Sequence, residues 1–463
     1  RFLKESRMLP TSYIEMMERL LGDEAQAYFE ALKLSPTRGL RLNALKGEKV
    51  CAALLPVEVK ALPYGKDAFG FCGGEHIGNH PLHHAGAFYV QEPSAIAPVA
   101  CANIEPGMRV LDLCASPGGK STQIAALLGH EGLLVSNEAV FSRVGTLSGN
   151  LERMGVRNAI VTHAQTKDLA AALPDFFDVI IVDAPCSGEG MFRKNPSAAD
   201  EWSPAASEAC AKRQLEIIEA AVPMLKAGGE LIYSTCTFSL CENEETVAAF
   251  LESHPDFDLC DTPQAVKDAT ADGIQIDGNA IDFSKTRRFY PHKGEGEGQF
   301  MAKMKKRESA PSAKRKGKEI SCAGAPLGKA ESAAYEAIVK EALTDTASLP
   351  SPRLFKGAVW LPMQAMPLSE QNLYAYGVKV GDIRKGRLVP HHHFFTAYGA
   401  LFKRKLSFSL DDPRLASYLR GETVACDLDG GWAVAQVCGL SLGGIKVTDG
   451  IAKNHYPTGL RSR

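Results

Sequence analysis

The chain has 463 residues, 45% of them hydrophobic and 23% charged, with twelve cysteines and a formal net charge of -2. This length accommodates two or three domains of ~100–200 residues each, and the composition is that of a globular protein rather than a disordered or collagen-like one. The near-neutral balance excludes nucleic-acid binding through bulk charge, leaving clustered basic residues as the electrostatic route to such a partner.

The segment Arg1-Phe-Leu-Lys-Glu-Ser-Arg7 has no apolar h-region, so no signal peptide is expected. No run of ~18 apolar residues occurs, so no membrane-spanning helix is expected either. The cysteines do not form a disulfide-like framework, which points to a reducing, cytoplasmic location. Their spacing offers no convincing zinc site, and no metal is expected. His391-His-His393 precedes Phe394-Phe395 and reads as exposed loop.

Residues 1–80 open with Met8, Tyr13, Met16, Met17, Leu20 and Leu21 at helical spacing. Arg38-Gly-Leu-Arg-Leu-Asn43 then predicts a short strand. Residues 81–306 alternate apolar strands with helix-length segments. Strands are expected at 108–114, 132–136, 159–162, 177–183 and 229–234, and helices at 120–128, 141–154 and about 208–225. This alternation implies an α/β fold, with a mostly parallel, doubly wound, Rossmann-like sheet. Lys303-Met-Lys-Lys-Arg307 and Lys314-Arg-Lys-Gly-Lys318 mark a basic exposed stretch or linker, bounded as 307–349. A second unit, 350–463, carries Trp360, Tyr374 and Tyr376 and ends in short strands over 423–447. No internal repeat is visible.

The first expected strand runs into Val110-Leu-Asp-Leu-Cys-Ala-Ser-Pro-Gly-Gly-Lys120. Gly118 and Gly119 permit a tight turn and close approach to a ligand, with a helix N-terminus behind them. Gly119-Lys-Ser121 is not a Walker A loop, because position 114 is Cys where that loop needs Gly. The dinucleotide fingerprint fails for want of a spaced third glycine. Glu138 ends the second strand, where an acid commonly takes ribose hydroxyls.

Two cysteines follow strand ends, Cys186 in Asp183-Ala-Pro-Cys186-Ser-Gly and Cys236 in Ser234-Thr-Cys236-Thr. Ligands bind at the carboxyl edge of an open α/β sheet, so the glycine turn, Glu138 and both thiols are expected to converge there. Carbon 5 of cytosine is a poor nucleophile until a thiolate adds to carbon 6, which is covalent catalysis by cysteine. Lys120 stands near enough in the motif to favour a thiolate, and Asp183 to grip the N3/N4 edge of the base. Strand-end cysteines are commonly core residues, and Cys101, Cys210, Cys241 and Cys438 are read that way.

On these motifs the chain resembles the Nol/Nop/Sun family of RNA cytosine-C5 methyltransferases and, within it, the bacterial 16S rRNA methyltransferases of the RsmF type. His84–Ser94, Cys114–Lys120, Arg288–His292, Gly294–Phe300 and Lys453–Arg461 carry the likeness along nearly the whole chain. The resemblance implies S-adenosylmethionine as cofactor, with Cys236 as nucleophile and Cys186 as the thiol that helps product release. Lys120 and Asp183 are implied around the target base and the methyl donor. The implied cofactor set is Cys114, Ala115, Ser116, Pro117, Gly118, Gly119, Lys120, Glu138, Arg143, Gln165 and Asp183. Many family members hold the adenine amine with an acid after the third strand. Here two candidates stand at that place, Gln165 through its side-chain carbonyl and Asp168.

The resemblance further implies an N-terminal RNA-binding accessory domain and a C-terminal α+β PUA-like RNA-binding domain. The expected partner is 16S rRNA, free or within the small ribosomal subunit, with no membrane and no stable protein partner. Arg38, Arg41 and the stretch from Lys303 to Lys318 are candidate phosphate contacts. Three other readings stand beside this one: a tRNA methyltransferase of the same family, a DNA cytosine-C5 methyltransferase using Cys186, and a non-catalytic assembly factor.

Overall fold

The structure, a computed structural model, describes residues 9–74, 76–310, 323–364 and 366–462. Met8 and Lys314–Lys318 lie outside the described residues. Among those described, no helix is long and apolar enough to cross a membrane.

Ten strands build the central sheet: β1 Arg109–Asp112, β2 Leu133–Asn137, β3 Ala159–Thr162, β4 Phe177–Asp183, β5 Leu225–Thr235, β6 Phe257–Cys260, β7 Ala271–Asp272, β8 Arg287–Phe289, β9 Gln299–Lys306 and β10 Leu373–Tyr376. The order is β7-β8-β9-β5-β4-β1-β2-β3-β10, with β6 also on β9. The five strands β3-β2-β1-β4-β5 pair in parallel and the rest antiparallel. Central strands are buried on both faces, so Phe177-Asp-Val-Ile-Ile-Val reads as a near-continuous apolar run. Helices α1 Gly119–Leu128, α2 Phe141–Met154 and α3 Pro204–Ala221 cover the faces. The order reverses between β1 and β4, and the carboxyl ends there form the crevice where such sheets bind ligands.

The expected Rossmann-like core is therefore present, and the strands at 159–162 and 177–183 have the expected bounds. The flanks differ from expectation in three ways. Lys303–Arg307 is not exposed throughout: β9 is an interior strand, with Lys303 paired to Glu230 at 2.9 Å and Lys306 donating to the Leu225 carbonyl at 2.9 Å, while Lys305 and Arg307 stay exposed. Within the stretch expected as linker, Lys329–Ala342 is a helix that buries Tyr335, Val339 and Ala342. Strand β10, from the carboxyl-terminal part, extends the central sheet by pairing with β3.

The amino-terminal part holds helices Thr11–Leu21 and Ala25–Leu32 and a four-stranded sheet that includes Arg38–Leu42. Tyr13, Met17 and Tyr28 pack on Phe192, Trp202, Phe238 and Tyr290 of the central domain. The carboxyl-terminal part has two further five-stranded sheets. Leu40, Phe71 and Phe88 of the amino-terminal sheet share one core with Leu406, Ala435, Leu442 and Tyr456.

Candidate active site

The chain leaves β1 at Asp112 and turns through residues 113–118 into α1. Gly118 has φ +110, and a Cβ there would come within 3.3 Å of Leu147 Cδ1, so the position suits glycine. Side chains from elsewhere bind the carbonyls of this segment. Arg143 donates to Ser116 O at 2.8 Å, Asn150 to Pro117 O at 2.9 Å and Arg41 to Gly119 O at 2.6 Å. Ala115 N donates to Asn137 O at 2.8 Å, tying the turn to the end of β2. The first N–H groups of α1 have no intrahelical acceptor, which makes this end a site for a carboxylate or phosphate. Burial, then the charge of Asp112, pushes the Cys114 thiol up, so it stays protonated and is no nucleophile.

Glu138 follows β2 and is buried; its carboxylate accepts from Val140 N at 2.8 Å and lies 3.6 Å from Arg143. Val140 and Phe141 beside it are exposed. Gln165 is exposed after β3, and neighbouring Ala164 is bonded both ways to the Asn137 side chain. The edge thus offers amide donors, an acid and exposed apolar surface in one row. That donor set fits S-adenosylmethionine, whose carboxylate, ribose hydroxyls and adenine need these three chemistries.

Across the switch point, Lys120 Nζ donates to Asp183 Oδ2 at 2.7 Å. Burial works against the ammonium, but the charge and hydrogen bond of Asp183 outweigh it and hold Lys120 above its ordinary value. Ser234 Oγ and Gln299 Nε2 donate to Asp183 Oδ1 at 2.8 and 3.1 Å. Three of the roughly four acceptor positions of a carboxylate are then occupied, leaving about one for a ligand. The Asp183 side chain is 33% exposed, so that position is reachable.

Cys186 and Cys236 stand after neighbouring parallel strands β4 and β5, both half-buried. Their sulfurs are 3.2 Å apart. The hydrogen bond to Cys236, with burial second, pushes the Cys186 thiol well up. Either sulfur can be the hydrogen-bond donor of the pair.

Several side chains differ from their expected role. Arg41 is buried and spent on Gln91, Gly119 O and Thr122, so it supports the glycine turn instead of contacting phosphate. Arg38 donates to Gly74 O at 2.5 Å and lies over the Phe71 ring. His392 and His393 are buried in the helix His392–Tyr398, not exposed, packing as neutral aromatic rings. Cys101 is buried as expected, but Cys210, Cys241 and Cys438 are only half-buried. Sequence reasoning missed Ser234, Gln299 and Arg41 as site residues; Gln299 was signalled only by lying in the 294–300 segment.

The family model described as 16S rRNA methyltransferase RsmB/F matches residues 99–305, which hold the whole of this edge. The model for the N-terminal domain of 16S rRNA methyltransferase RsmF matches residues 9–93, and that for the methyltransferase RsmF PUA domain matches residues 405–462. The three matches liken the chain to the RsmB/F methyltransferases over residues 9–93, 99–305 and 405–462. These matches bear out S-adenosylmethionine as the cofactor and the three-part arrangement of Rossmann-like core, N-terminal RsmF domain and C-terminal PUA domain. The chain is 35% identical over 316 residues to the ribosomal RNA small subunit methyltransferase F of Erwinia tasmaniensis, covering 65% of this chain and 64% of that one. It is 39% identical over 242 residues to the protein of the same name from Escherichia fergusonii, covering 51% and 48%. Among solved structures it resembles a methyltransferase homolog protein from Pyrococcus horikoshii, with TM-score 0.54 and 26% identity over 64% of this chain and 100% of that one. The chain spans less than two thirds of the length of these curated relatives.

Proposed function

We propose that this protein methylates carbon 5 of cytosine in 16S rRNA, using S-adenosylmethionine and a covalent cysteine–cytosine adduct. The observation that carries this reading is the 3.2 Å contact between Cys186 and Cys236 beside the Lys120–Asp183 pair. A single thiol suffices for many cysteine chemistries. Two touching thiols suit a reaction that must both form and break a sulfur–carbon bond.

Residues 114–120, Glu138, Arg143 and the Gln165 edge hold the cofactor, with Lys120 and Asp183 between it and the base. The open acceptor position of Asp183 takes the cytosine N4–H. Cys236, as thiolate, adds to carbon 6, and the ring π electrons move to make carbon 5 nucleophilic. The cofactor, when bound, supplies an electrophilic methyl group. A base then takes the proton from carbon 5, and the C–H electrons re-form the C5=C6 bond. Cys236 leaves as thiolate, and the Cys186 S–H donates to it, stabilising the leaving group. The flanking amino-terminal and PUA units bind the RNA, and a cytosine held in a helix must be flipped out to reach the thiol.

The test is methyl transfer from labelled S-adenosylmethionine to 16S rRNA, small subunits, tRNA and duplex DNA, with the product base identified by mass spectrometry. 5-Methylcytosine in 16S rRNA or small subunits, abolished by Cys236→Ala, is expected. Label confined to tRNA or DNA, or retained by Cys236→Ala, would overturn the proposal.

A further inference from the structure

Resting on the proposed chemistry, we infer that Glu189 and Glu242 are positioning residues that form a reciprocal clasp, each acid gripping the loop of the opposite cysteine and so fixing the gap between the two sulfurs. Glu189 lies on the loop that follows Cys186, yet its Oε2 accepts from Phe238 N at 2.7 Å and Ser239 N at 3.0 Å, just after Cys236. Glu242 lies on the segment that follows Cys236, yet its Oε2 accepts from Ser187 N at 3.0 Å, the residue after Cys186. The exchange is crosswise, so neither loop can shift without breaking a bond to the other.

Further bonds tighten the clasp. Gln214 Nε2 reaches both Glu242 Oε2 at 2.7 Å and Pro185 O at 3.1 Å, so the peptide units on both sides of Cys186 are held. Tyr233, on the strand that leads to Cys236, shares its one O–H proton between Gln214 Oε1 at 2.9 Å and Glu242 O at 2.6 Å. Ser187 Oγ and Thr237 Oγ1, each one residue after a cysteine, meet at 2.8 Å. Gly190 N donates to Cys236 O at 2.9 Å.

Cost separates this reading from ordinary core packing. Glu189 and Glu242 are 1% and 0% exposed. Among the described residues, the donors to these two acids are backbone N–H groups, an indole, an amide and a hydroxyl, with no lysine or arginine, and Glu242 Oε1 has no hydrogen-bond partner. Burying a carboxylate without a cation is expensive, and a well-packed apolar residue commonly serves stability better. Two such acids, placed crosswise where the two thiols meet, are explained by the need to hold that contact.

The test uses the full chain, reduced and then treated with diamide. Oxidation joins the two sulfurs, and two electrons and two protons pass to diamide, giving its hydrazine. The rate at which the Cys186–Cys236 linked peptide appears reports the sulfur geometry, because a disulfide forms only when both Cβ vectors converge. Glu242→Ala is expected to slow it about tenfold, while Glu242→Gln, which keeps a carbonyl for Ser187 N, stays within about twofold of the parent. If Glu242→Ala fails to fold, Thr237→Val carries the same test and is expected to slow linking by about threefold. Parent-like rates in a folded Glu242→Ala, or in Thr237→Val when that variant stands in, would overturn the clasp. The readout uses neither RNA nor methyl donor, so it stands or falls apart from the methyltransferase proposal. Glu242→Ala should also accumulate a denaturant-stable protein–RNA adduct. Slowed linking without that adduct would count against the proposed chemistry and leave the clasp intact.

Discussion

Lys120 on the first turn of α1 and Asp183 at the end of β4 meet at 2.7 Å across the point where the strand order reverses. In the proposed mechanism the pair joins the cofactor side of the crevice to the thiol side. Lys120→Met should abolish methyl transfer while leaving the fold intact. Asp183 is a third exposed, so water replaces the ammonium, and the cost should be about 1–2 kcal/mol, below the ~3–5 kcal/mol of a fully buried pair. Urea unfolding and a transfer assay measure the two effects separately.

Gly118 should be as sensitive as any reacting residue. At φ +110 a side chain is strained, and its Cβ would press on Leu147. Gly118→Ala should cost about 1–3 kcal/mol in stability. It should also weaken S-adenosylmethionine binding by at least about tenfold, since ~1.4 kcal/mol of misplacement suffices. Calorimetric titration of the cofactor into the variant checks this without any RNA.

The core of the site was legible because its residues sit at strand ends inside apolar runs. Phe177–Asp183 announces a buried strand, and Cys186 follows within its loop. What escaped sequence reading are contacts closed between distant segments. Nothing local in Glu189 or Glu242 says that each will bind the other's loop, because surface acids look the same. Strand β10 was equally hidden: Leu373-Tyr-Ala-Tyr376 is too short to specify a partner, and only the fold shows that it extends the sheet beyond β3. Lys303 and Lys306 misled because a basic run usually stays in solvent. Here Glu230 neutralises Lys303, and the Leu225 carbonyl takes Lys306.

The buried histidines predict an acid-sensitive junction. Burial, then neighbouring His391, His393, Lys46 and His84, pushes His392 down to about 3. Its unfolded value is about 6.5, so the unfolded chain binds the extra proton between these limits. The stabilising preference for the neutral ring is complete above about pH 6.5 and is lost progressively as pH falls toward the folded value. His392→Phe keeps the ring and removes the proton site. Its stability should fall less steeply on acidification, by up to about 1.4 kcal/mol per pH unit. Unfolding midpoints of parent and variant at pH 7, 6 and 5 give the comparison.

The most direct measurement is mass spectrometry of Cys186→Ala after incubation with 16S rRNA and S-adenosylmethionine, followed by denaturation and nuclease digestion. The proposed mechanism gives leaving-group stabilisation to Cys186, whose sulfur lies 3.2 Å from that of Cys236, so a methylated cytosine nucleotide should remain bonded to the peptide that carries Cys236. Free 5-methylcytosine at the parent's rate, or an adduct mapped to any other residue, would contradict the two-thiol mechanism.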